Sequence, residues 1–121
     1  MHTQLKIDDL SACVKTIMTV LHYHATKRPV DQLVTVDFDH QALQGTYDQD
    51  IDILSAHWET DKLIIKMGYV PGNWPFRCTF RRSTEDRWRL HIFEHGCPVC
   101  LGDGVLDGTK CDFCEDGYVP R

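Results

Sequence analysis

Two C-x-x-C pairs near the end of the chain, Cys97/Cys100 and Cys111/Cys114, restrict its folding more than any other feature of its 121 residues. Each pair sets two sulfurs on one tight turn, and the stretch 101–110 between them is long enough to fold back. Four thiolates can then meet as a tetrahedron, the arrangement that Zn²⁺ accepts most readily. With Gly102, Gly104, Gly108 and Gly117, this tail has no apolar core of its own. Bound metal would therefore supply most of its folding free energy. The expectation is one structural Zn²⁺ on Cys97, Cys100, Cys111 and Cys114, with disulfides or a redox dithiol as the alternatives. Four thiolates leave no open position for water, so such a site is structural rather than hydrolytic. A dithiol oxidoreductase places its C-x-x-C at a helix N-terminus, and nothing in the sequence puts a helix there.

No apolar run approaches the roughly 18 residues of a membrane span, and the first residues lack a signal-peptide pattern. The expected setting is cytoplasmic and reducing, which favours metal over disulfide for clustered cysteines. The formal charge of −5 argues against a general polyanion binder, yet it is unevenly spread. Residues 31–62 hold eight acids against Lys62, whereas residues 77–91 hold five arginines against Glu85 and Asp86. An acidic side and a basic side are expected.

Residues 7–26 read as a helix, with Ile7, Leu10, Val14, Ile17, Met18 and Leu21 forming one apolar stripe. Asp8 or Asp9 is placed to cap its first turn, Lys27, Arg28 and Pro29 mark its exit, and Cys13 reads as a small core residue. His22 and His24 cannot share a helical face, so they do not make a joint metal site. Beyond Pro29 the pattern alternates. Val34, Val36 and Phe38 point one way, and the runs 51–59 and 63–70 read as two further strands. After a loop of turn formers, 70–75, the runs 76–82 and 87–93 read as a hairpin about Ser83-Thr84-Glu85-Asp86. Phe76, Cys78 and Phe80 are expected to face Trp88, Leu90 and Ile92. The fold class is therefore α+β: one N-terminal helix on an antiparallel sheet of about five strands (1–94), then a small Cys₄ zinc module (95–121).

The tail also carries a resemblance. Cys97-Pro98-Val99-Cys100-Leu101-Gly102-Asp103-Gly104 resembles the C-x-x-C-x-G-x-G unit of the cysteine-rich domain of DnaJ-type chaperones. Cys111-Asp112-Phe113-Cys114 opens a second unit, which departs at Asp116 and Tyr118, where that pattern has glycines. The loop is similar as well to the zinc module of anti-TRAP proteins, including the Gly-Thr before the second pair. The resemblance covers about residues 95–120, and without a His-Pro-Asp motif the chain is not a J-domain co-chaperone. It implies one Zn²⁺ on the four cysteines and a role in protein–protein contact.

Outside the tail, His91-Ile92-Phe93-Glu94-His95 spells H-x-x-E-H, a peptidase motif that needs a helix; here it continues a strand. His95 could serve as an alternative zinc ligand or orient one. Asp37, Asp39, Asp50 and Asp52 could form the carboxylate site of a metal-dependent enzyme, although a solvated acidic face is the plainer reading. Arg77, Arg81, Arg89 and His91, with Phe93 and Trp74 nearby, form a candidate surface for RNA or single-stranded DNA. Cross-strand ion pairing is the plainer account of those arginines. The leading expectation is a non-enzymatic, zinc-stabilised protein that docks on a protein partner as a regulator, adaptor or inhibitor.

Overall fold

The computed structural model describes residues 2–70, 74–83 and 87–120, with side chains from residue 7 to residue 119. The expected loop at 71–73 and the turn residues 84–86, with Glu85 and Asp86, lie outside the described residues. One helix, α1 (His2–Ala25), accompanies a five-stranded antiparallel sheet of order β1-β2-β3-β4-β7. Its strands are β1 (Asp50–Trp58), β2 (Lys62–Val70), β3 (Pro75–Arg82), β4 (Trp88–Gly96) and β7 (Tyr118–Pro120). Two-residue strands β5 (Val105–Leu106) and β6 (Thr109–Lys110) make a separate small ribbon.

The helix starts earlier than the apolar period indicates, so Asp8 and Asp9 do not cap it. Asp9 instead accepts a 3.0 Å hydrogen bond from the indole N–H of Trp88, tying α1 to β4. The buried stripe runs through Cys13, Ile17, Val20 and Leu21, while Ile7 and Met18, two expected members, are exposed. Burial also pushes the Cys13 thiol far up, so it acts as a small apolar side chain. The helix ends as the sequence suggests. Lys27 takes a left-handed φ of 61°, and the Arg28 amide reaches back to the Tyr23 carbonyl at 2.7 Å, closing a Schellman-type turn.

The expected strand at Val34–Phe38 does not form. Val34 and Phe38 are buried but Val36 is fully exposed, and the segment runs through turns. A single parallel bridge, Val34↔Leu90, holds it beside β4, with the Thr35 amide donating to the Leu90 carbonyl at 2.9 Å. The fifth strand is β7, drawn from the cysteine-rich tail.

The β3/β4 hairpin also differs in register. Phe80 faces Leu90 as expected, but the register shifts between Thr79 and Phe80, so that Thr79 opposes Ile92 and Cys78 opposes Phe93. His91 is the extra residue. Such a bulge reverses the alternation beyond it: Phe93 turns into the core and Ile92 outward. Phe93 is therefore unavailable for stacking on bases. On the inner face Tyr69, Phe76 and Phe93 form a row with ring centroids 4.7 and 5.2 Å apart. Each fully buried phenylalanine contributes about 1.5–3 kcal/mol relative to exposure.

Candidate metal centre

Gly96 leaves the core at the end of β4 and delivers the chain to Cys97. A side chain at Gly96 would lie 2.5 Å from the ring and the carbonyl of Pro75, so the first knuckle packs directly on the start of β3. The knuckle then closes through the Leu101 amide to the Cys97 carbonyl at 2.8 Å, with Leu101 and Gly102 at φ of 56° and 86°. The β5–β6 ribbon, turning at Asp107-Gly108, carries the chain back to Cys111. After Cys114 the chain re-enters the sheet. The Cys97 amide donates to the Gly117 carbonyl at 2.8 Å, and Gly96 pairs with Tyr118.

Tyr118 seals this return. It is buried, and the Arg77 guanidinium sits 4.6 Å from its ring centroid, with the Lys66 ammonium 5.7 Å away. Arg77 is itself fixed by a bidentate pair with Glu94, at 2.8 and 2.9 Å. The Glu94 carboxylate also holds the guanidinium pKa above its ordinary value. The anchor Gly96, Pro75, Tyr118, Arg77 and Glu94 forms no sequence motif as a set; Arg77 and Glu94 drew notice for other roles, and Tyr118 only as a departure in the second knuckle.

The four sulfurs converge. Cys97 and Cys111 Sγ lie 3.9 Å apart, Cys100 and Cys114 Sγ 3.6 Å apart, and all four fall within 4.8 Å of one another. All are free thiols. Val99 and Val119 pack against them, and the Gly104 amide donates to Cys100 Sγ at 3.2 Å. That contact is what a glycine after the pair provides: a backbone N–H turned onto sulfur. Among the described residues this is the one group of three or more His, Cys, Asp or Glu side chains that could hold a metal ion.

The protonation of the cluster is uneven. At Cys97 burial acts upward, but the amides of Cys100 and Val99 and the neighbouring thiols outweigh it and bring the thiol down to about 7. Burial and the sulfurs of Cys100 and Cys97 push Cys114 up to about 12. At Cys111 the Phe113 amide acts downward, yet burial and the same two sulfurs prevail and raise it. One thiolate suppresses the next unless a cation shares the charge.

The other expected site residues are dispersed. His95 turns away from the sulfurs, its Nε2–H donating to the Ala42 carbonyl at 2.7 Å while its ring packs edge-on to Phe93. Within H-x-x-E-H, His91 Nδ1 meets the Thr35 hydroxyl at 2.9 Å and Glu94 meets Arg77, so no peptidase centre assembles. Asp37 and Asp39 line a depression of about 310 Å³ with His91, and Asp39 caps a short 3-10 turn at Gln41. Asp50 and Asp52 lie on β1, and the four carboxylates do not gather into a metal-holding group. Arg81 stands opposite Arg89 in the β3/β4 ladder and reaches Asp61 at 3.4 Å. With Arg77 committed to Glu94 and Tyr118, the candidate nucleic-acid surface is divided by internal contacts. No family model, curated protein or solved structure matches this chain.

Proposed function

We propose that the cysteine cluster holds one structural Zn²⁺, and that the module it closes docks on another protein, making this chain a non-enzymatic regulator, adaptor or inhibitor. A tetrahedral ion with Zn–S bonds of about 2.3 Å requires sulfurs about 3.8 Å apart. Two of the six edges, at 3.9 and 3.6 Å, match that spacing, and all four sulfurs lie within 4.8 Å of one another. The observation that carries the docking role is the module's outer surface. Around a buried sulfur cluster it exposes Leu101 (60%) and Phe113 (72%), with Val105 and Leu106 also open to solvent. Large apolar side chains held on a rigid, metal-closed loop are suited to protein contact.

The test separates the ion from the contact. Elemental analysis of freshly isolated protein should give one zinc per chain, and the Cys97→Ser variant should lose it. A stoichiometric protein partner should co-purify with the native chain and be lost from Leu101→Asp/Phe113→Asp, which retains zinc. Absence of zinc would remove the metal assignment. Absence of a partner above background, or a partner retained by the double variant, would remove the docking role.

A further inference from the structure

We propose that β1 pairs with β1 of a second copy of this chain, joining two five-stranded sheets edge to edge in one continuous antiparallel sheet. The two edges of the sheet are treated differently. On the far side β4 is covered twice, by β7 along Glu94–Gly96 and by the Val34 bridge at Leu90. On the near side β1 has one sheet neighbour, β2, and leaves nine residues of edge without another strand among the described residues. Natural sheets blunt such an edge with charge, proline, a bulge or a short strand. This edge carries Asp50, Asp52 and one irregularity, between Ile53 and Ser55, but no lysine or proline, and it exposes Ile53 (43%) and Leu54 (61%).

The side chains of β1 fit a copy of themselves. Ile51, Ile53, Ala56 and Trp58 stand opposite the buried Tyr69, Met67, Ile65 and Leu63, so they form the inner row. The irregularity between Ile53 and Ser55 switches that row from odd to even positions. In an antiparallel pair, directly opposed residues share a face. Self-pairing keeps both inner rows on one side only when opposed residue numbers have an odd sum, a condition that the switch creates. The register with Ile51 opposite Trp58 meets it and places Ile53 against Ala56, extending the apolar row across the junction. It also sets Asp52 opposite His57, twice by symmetry, with Leu54 beside the two-fold axis. Asp50 then opposes Glu59, a like-charge contact at the ends of the ladder that works against the pairing; Glu59 stands 3.6 Å from His57 in its own chain.

Sedimentation velocity over about a hundredfold range of concentration tests the pairing, because an association of copies must follow mass action. The native chain should pass from monomer to dimer, and Ile53→Lys, at a half-exposed position, should raise the dissociation constant by at least about tenfold. His57→Asp should weaken the dimer, and adding Asp52→His should restore it by exchanging the two partners. Circular dichroism and metal content confirm that each variant is folded. A native chain that is monomeric throughout, or a dimer indifferent to Ile53→Lys, overturns the proposal. Failure of the exchanged pair to restore the dimer overturns this register.

Discussion

Replacing Gly117 by alanine tests whether the two knuckles form one metal centre or two independent turns. Gly117 has φ of 96°, and its missing Cβ would fall on the Gly102 carbonyl group, inside the 3.0 Å that real Cβ atoms respect. Gly102 follows the first cysteine pair and Gly117 the second, so relief of the overlap must move one knuckle away from the other. Reaching ordinary van der Waals contact requires a retreat of more than about 1 Å, several times the ~0.2 Å tolerance of a metal–ligand bond. The same movement carries the Gly117 carbonyl off the Cys97 amide, 2.8 Å away. Gly108 provides the control. Its φ is 82°, but a Cβ there meets nothing within 4 Å.

Left-handed strain alone amounts to about 1–2 kcal/mol, which corresponds to about a tenfold loss of metal affinity. Gly108→Ala should stop there. Gly117→Ala adds the displaced ligands and should lose at least about a hundredfold. Competition with a chromophoric chelator at fixed pH measures both variants. Equal losses would refute the contact between knuckles as the determinant of the site.

Two further outcomes follow from the hairpin bulge and from the thiols. Phe93→Ala should cost about 3–5 kcal/mol in urea unfolding, whereas Ile92→Ala should cost under about 1 kcal/mol, the value for a half-exposed side chain. The reverse order would restore the unbroken alternation. For the cluster, Cys114 at about 12 and the raised Cys111 both carry protons at pH 7, so metal binding must release at least two. Affinity should therefore rise with pH by at least about a hundredfold per unit near neutrality. It should fall more steeply below about 7, where Cys97 also protonates; a slope of one decade per unit or less would contradict the uneven thiols.

The convergence of the four cysteines was legible in the sequence because its information is local. Two sulfurs separated by two residues must share a turn, and free thiols gain little from closeness until a cation joins them. The four long strands were legible for a similar reason, since alternation is a property of consecutive residues. What the sequence could not decide lay in contacts between distant segments. Val34 to Phe38 alternates like a strand, but the edge of β4 near Gly96 is taken by Tyr118–Pro120. The bulge at His91 is equally invisible in one strand, because it exists only relative to the partner that skips a residue. It decides that Phe93 rather than Ile92 enters the core. Cross-strand pairing was the plainer expectation for the arginines, but that Arg77 meets Glu94 and Tyr118 was decided by the tertiary structure. Periodicity and ligand spacing are written along the chain, whereas register, edge occupancy and the partner of a charge are set by which remote residue packs there.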